Sequence, residues 1–185
     1  MQFTYLRDQL RFARLNLGIV SFPTDIDPIS MQEFIDEFDY AARLPFPSVI
    51  LEILSNGGDC YSAFGAYDVI RDCPKPVEGH VLGCAASAAA MIVLQACSAR
   101  IGTRNARFLI HEIQLHHFFD IEKVSGAEDN TKELVTIQNR VLEILAARTG
   151  RSVEEWKGAI NRREFWLSAE EALEWGLIDE IRGTI

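Results

Sequence analysis

The side chains suited to nucleophilic chemistry stand at separate places along the chain. Ser87 opens the run "GCAASAAAMIVLQA" (83–96), in which nearly every other residue is small or apolar. A hydroxyl at a helix N-terminus lies beside the positive end of the helix dipole, where first-turn amides such as that of Ala88 have no intrahelical partner. The same position suits an N-cap serine or a small packing residue, and on this stretch alone the N-cap is the stronger reading. Gly57-Gly58 follows a strand-like run ending at Leu54. Adjacent glycines bring backbone amides close to a ligand and permit positive φ, as an oxyanion hole requires, though a tight turn needing glycine for shape alone is the more frequent reason for such a pair. A serine nucleophile needs a base, and the chain has four histidines. His80 lies inside a strand pattern. His116 and His117 fall in an irregular stretch without a carboxylate or cysteine at helical ligand spacing, which reads as surface loop and not as a metal site. His111 follows the apolar run "ARFLI" at the C-terminal end of a strand, where the sites of open parallel sheets gather. A core or edge histidine fits that position too.

These residues need a frame, and the hydrophobic patterning supplies one. "LGIVSF" (17–22) and "SVILEIL" (48–54) are aliphatic runs bounded by turn residues, the pattern of buried strands. Between them "DPISMQEFIDEFDYAARL" (27–44) predicts a helix with Asp27 as N-cap and Pro28 at its first position. "SNGGDCYSAFGAYDVIRDC" (55–73) is a glycine turn running into a helix that stops before Pro74. "VEGHVLG" (77–83) predicts a third strand, followed at once by the Ser87 helix; "ARIGTRN" and "ARFLIHE" predict two short strands around a polar turn. The pattern then lapses until a long helix at about 130–148, striped by Leu134, Ile137, Val141, Ile144 and Leu145 and ended by Gly150. Ser152 with Glu155, and Ser168 with Glu171, stand at capping-box spacing before two shorter helices. Alternating strands and helices imply an α/β fold with a parallel sheet. With no repeat or linker, residues 1–185 read as a single domain.

Composition narrows the class. Hydrophobic residues make up 48% and charged residues 24% of the 185, ordinary for a soluble globular chain. Lys plus Arg number 18 against 27 for Asp plus Glu, a net charge of −9 that argues against nucleic-acid or anionic-membrane partners. Cys60, Cys73, Cys84 and Cys97 form no CxxC pair, so reduced, mostly buried thiols are expected. Charges interrupt every apolar run of the N-terminal stretch, which fits neither a signal peptide nor a membrane span. A cytoplasmic location follows as the expectation.

"SNGGD", "GCAASAAA", "RFLIHE" and "LSAEEALEWGLID", in this order and at these separations, resemble the Clp protease proteolytic subunit family, ClpP, over about residues 15–182. The resemblance implies a serine endopeptidase on a crotonase-like α/β fold, without metal or cofactor. It also implies a protruding handle at about 112–149, two stacked heptameric rings enclosing a proteolytic chamber, and an AAA+ ATPase unfoldase as partner. By the family pattern Ser87 is the nucleophile, His111 the base, and the amides of Gly58 and Ala88 the oxyanion donors. The substrate would lie extended along the strand edge after Gly58. Where the family has aspartate, three residues before the leucine of "LSAEEA", this chain has Glu164. Glutamate orients histidine in some hydrolases but is one methylene longer, and Glu112 and Asp120 are the local substitutes.

Other departures mark a divergent member, as a phage- or mobile-element-encoded copy would be. The stretch before the first strand is short, so axial loops that meet an ATPase are expected to be reduced. The family's "HQP" becomes His111-Glu112-Ile113, its usual proline before the glycine pair becomes Asn56, and Arg163 matches an arginine used between rings. Two other readings stand beside the peptidase. One is a catalytically impaired ring subunit that keeps the fold. The other is a CoA-dependent crotonase-type enzyme sharing the glycine-turn oxyanion hole, though such enzymes use carboxylates in place of a Ser/His pair.

Overall fold

The computed structural model describes residues 2–114 and 126–183. Its centre is β5 (Val77–Ala86), ten residues long, which changes neighbour halfway. The first half pairs in parallel with β6 (Ala99–Thr103), Glu78 to Val81 opposite Ala99 to Gly102. The second half pairs in parallel with β7 (Arg107–Ile110), Cys84 to Ala86 opposite Arg107 to Leu109. The change falls at Gly83, whose φ is +85°. The sequence places the end of this strand at Gly83; the backbone does turn there, but new pairing with β7 carries the strand on to Ala86.

On the other side of β5 lie β3 (Val49–Ser55) and then β1 (Ile19–Ser21), both parallel, and β9 (Glu180–Arg182) adds to β6. β8 (Phe165–Leu167) runs antiparallel to β7. A two-stranded ladder of β2 (Asp25–Ile26) and β4 (Gly57–Gly58) stands apart from this sheet. The expected strands at 17–22 and 48–54 are thus β1 and β3. β2, β4, β8 and β9 are too short to leave a periodic signal, at two or three residues each.

The expected helices are present with their caps. The first of them (α2, Pro28–Arg43) is capped by Asp27, whose carboxylate accepts from the amides of Ile29 and Ser30. The second (α3, Cys60–Arg71) begins at the Asp59 cap and ends before Pro74. The long helix (α5) spans Gly126–Thr149, and both capping boxes form, at Ser152–Glu155 on α6 (Val153–Ile160) and Ser168–Glu171 on α7 (Ala169–Glu174). One further helix has no counterpart among those expected from the sequence. α1 (Gln2–Leu15) leaves Leu6, Leu10 and Phe12 exposed and is tied down by Arg11 to Glu37 and Arg14 to Glu52. It reaches the core through Leu15 near its C-terminal end, with the ion pairs beside it.

The Ala-rich helix is buried on all sides, as its composition requires. It runs as a π-helical turn (Ala89–Val93) continued by α4 (Leu94–Ala96), and its residues are 3% exposed or less. Gly79 of β5 makes the close approach possible, since a Cβ there would lie 2.8 Å from Cys97 Sγ. The four cysteines are free thiols, Cys97 buried and the others half-buried. No described helix is long and apolar enough to cross a membrane.

Candidate active site

Parallel pairing of β5 with β7 sets the site. Ala86 stands opposite Leu109, so Ser87 at the end of one strand and His111 at the end of the other emerge at the same edge of the sheet. The Ser87 amide donates to Leu109 O at 2.8 Å, and the Ser87 carbonyl accepts from the amides of Ala90 and Met91. Between these anchors Ser87 adopts φ +55°, a left-handed conformation that costs about 1–2 kcal/mol for a residue with a Cβ. An N-cap serine has extended backbone and bonds its own helix through its side chain; this serine does neither. Its Oγ instead lies 2.8 Å from His111 Nε2.

The hydrogen bonds of the ring fix its tautomer. His111 Nδ1 is 2.5 Å from the carbonyl oxygen of Glu112, which can only accept, so Nδ1 carries the proton and donates. In a neutral imidazole Nε2 is then the acceptor, aimed at the Ser87 hydroxyl, the arrangement a general base requires.

The glycine turn packs directly against this elbow. A Cβ on Gly57 would stand 2.6 Å from Ala86 O, 2.7 Å from Ser87 Cβ and 3.0 Å from the Ala88 amide nitrogen. Gly57, at φ +86°, therefore cannot carry a side chain, and the two turns meet backbone to backbone. The Gly57 amide donates to Ser55 Oγ, and Gly58 pairs with Ile26 in the β2–β4 ladder. Asn56 stitches the same ladder with a bond no proline can make, its amide donating to Thr24 O at 2.7 Å. Ala88 is buried and precedes the first intrahelical donors, Ala90 and Met91. Its amide is thus one the helix does not consume.

Glu164 has the right strand position and a different partner. Ile110 pairs with Phe165 across β7 and β8, so His111 and Glu164 face one another one step further along. The Glu164 carboxylate, on an exposed residue, accepts from Trp166 Nε1 at 3.1 Å. The structure brings Ser87, His111, Gly57 and Ala88 together and places Glu164 just before the neighbouring strand, with its carboxylate bonded to Trp166. Of the substitutes, Glu112 supplies its main-chain oxygen while its side chain is exposed; Asp120 lies outside the described residues, as do His116 and His117. Among the described residues no group of three or more His, Cys, Asp or Glu side chains is placed to hold a metal.

One residue at the site left no mark in the sequence. Gln138 of α5 accepts, through Oε1, the Ile113 amide at 2.7 Å, tying the segment after His111 to the long helix. A cavity of about 380 Å³ opens beside it, lined by Glu112, Gln138, Leu142, Lys157, Ile160 and Asn161.

The Clp protease family model matches residues 11–184. The ATP-dependent Clp protease proteolytic subunit 1 of Protochlamydia amoebophila is 29% identical, over 95% of this chain and 85% of that protein. Its namesake from Bifidobacterium longum is 33% identical over 89% of this chain and 68% of its own length. Among solved structures, a ClpP1 point mutant from Listeria monocytogenes superposes with a TM-score of 0.83, over 95% of this chain and 96% of that one, at 22% identity. That likeness establishes the ClpP, crotonase-like α/β fold. A family match spanning nearly the whole chain, with relatives near 30% identity, makes this chain a divergent member of the Clp protease family.

Proposed function

We propose that the chain is a serine endopeptidase acting on peptides or unfolded polypeptides. The observation that carries the reading is the 2.8 Å contact between Ser87 Oγ and His111 Nε2, at an elbow whose strained backbone presents the hydroxyl. His111 takes the hydroxyl proton as Ser87 attacks the substrate carbonyl, then returns it to the leaving amine; water repeats the steps on the acyl-enzyme. The amides of Gly58 and Ala88 receive the oxyanion, each such donor contributing roughly 3 kcal/mol to the transition state. Glu164 serves as the acid that stabilises the imidazolium formed when the proton moves. It acts from across the β7–β8 pair, after its carboxylate leaves Trp166.

The relatives are named as proteolytic subunits of an ATP-dependent protease, and with the family membership this leads us to propose an assembly of two stacked heptameric rings around a chamber. The word ATP-dependent in those names is in keeping with an AAA+ unfoldase as partner, and we propose a cytoplasmic setting beside it. The Glu164–Trp166 bond favours one alternative, a ring subunit with impaired chemistry.

A serine-directed fluorophosphonate, followed by intact mass, separates the readings. We expect one label per chain on the assembled wild type and none on Ser87→Ala. Glu164→Gln is expected to label at least tenfold more slowly, since a mispartnered imidazolium is costly. A wild type that never labels would sink the peptidase reading; full-rate labelling of Glu164→Gln would remove that residue from the triad.

A further inference from the structure

We propose that Gln138 is a positioning residue for the base. The inference rests on the peptidase reading and adds to it what holds His111 before the proton moves.

The chain of contacts is short. The His111 ring is fixed at both nitrogens, Nε2 by Ser87 Oγ at 2.8 Å and Nδ1 by the Glu112 carbonyl at 2.5 Å. The second of these partners is main chain, beyond the end of β7, where no strand ladder holds it. A carbonyl aimed from a free loop orients nothing. Glu112 is held through its neighbour: the Ile113 amide shares its peptide unit with that carbonyl and donates to Gln138 Oε1 at 2.7 Å. In one planar peptide the N–H and C=O point in opposite directions, so fixing one fixes the other. Gln138 therefore sets the direction of the Glu112 oxygen, and through it the tautomer and tilt of the imidazole.

The amide end of Gln138 shows that its oxygen is what the site uses. Nε2 is buried and has no hydrogen-bond partner among the described residues. Replacing that nitrogen by oxygen breaks no bond among the described residues. Its helix supplies the rigidity: the next turn of α5 is anchored by buried Val141, Leu142 and Leu145. Gln138 touches neither the nucleophile nor a reacting atom, so its effect is on geometry.

The test uses the full-length protein with ring-labelled histidine. The magnetic resonance shifts of the imidazole distinguish Nδ1–H from Nε2–H, and His111→Gln identifies the His111 signal. In the wild type we expect His111 as the Nδ1–H tautomer. Gln138→Met keeps length and helix propensity but removes the acceptor. We expect it to mix the two tautomers and to slow fluorophosphonate labelling of Ser87 by about tenfold, with melting temperature and particle size unchanged. Gln138→Glu, which keeps an oxygen in place of Oε1, should restore both the tautomer and the rate. A folded Gln138→Met with the wild-type tautomer and rate would overturn the assignment, as would a Gln138→Glu that behaves like Gln138→Met. A wild type that does not label at all would instead overturn the peptidase reading, while the tautomer comparison would still decide the position of Gln138.

Discussion

Ser87 stores strain that a merely structural serine would have no reason to keep. Its φ of +55° is imposed from both sides, by the Leu109 carbonyl before it and the first helical amides after it. Gly57 closes the trap by pressing its backbone against Ser87 Cβ. Glycine adopts this φ without penalty, whereas any Cβ meets the neighbouring carbonyl. We expect Ser87→Gly to be more stable than Ser87→Ala by about 1 kcal/mol, with both variants unlabelled. Denaturant midpoints of the two variants check this directly, and equal midpoints would mean that the elbow is unstrained. The position of Ser87 was legible in the sequence through its small neighbours and its helix start. Its conformation was not, because it depends on Leu109, a partner 22 positions away that only strand pairing brings near.

At the scale of elements, the tie between β6, β9 and α4 is a buried arginine. Arg100 is 4% exposed; it holds both oxygens of Asp179, and its third bond goes to Gln95 Oε1 at 2.7 Å. Burial would raise the Asp179 carboxyl from its ordinary 3.8, yet the hydrogen bonds and charge of Arg100 outweigh it and hold the group lower. A carboxylate with a lowered folded-state pKa adds stability above its unfolded value, and that stability is lost as pH falls through the folded one. We expect acid to melt this contact below about pH 4, and Asp179→Asn to flatten the stability–pH slope there while lowering stability at neutral pH. Unfolding midpoints at about pH 3 to 7 on both proteins give the comparison; parallel slopes would exclude Asp179 as a contributor. Legibility at this scale follows the range of the forces. The caps at Asp27, Ser152 and Ser168 were readable because cap and partner lie three residues apart or fewer. β8 and β9 were not: β1 is as short but sits inside the aliphatic run 17–22, whereas β8 and β9 are set by the neighbours they pair with.

At the scale of the whole molecule, α1 leaves Leu6, Leu10 and Phe12 exposed. It meets the domain with buried Leu15, with Arg11 and Arg14 on Glu37 and Glu52 and with Phe12 beside the Tyr40 ring, and it sends Leu6 and Leu10, one turn apart, outward. Leu17, just beyond the same helix, adds exposed apolar surface, as do Leu54 on β3 and Val135 on α5. Single exposed leucines are ordinary, but an exposed helical pair with further apolar side chains near it in the chain points to cover by another surface. A second copy of the chain is the simplest source of that surface, in keeping with the proposed ring. We expect light scattering at micromolar concentration to report a particle many times the 20.8 kDa of one chain. Replacing Leu6 and Leu10 together by lysine should reduce its mass while leaving the helical content intact, because neither side chain contributes to the core. It should reduce peptide hydrolysis in step with mass, as a chamber requires, while any residual label stays on Ser87. A wild-type chain that runs as a stable monomer at this concentration would remove the chamber from the mechanism and leave Ser87 and His111 to act, if at all, on freely diffusing peptides.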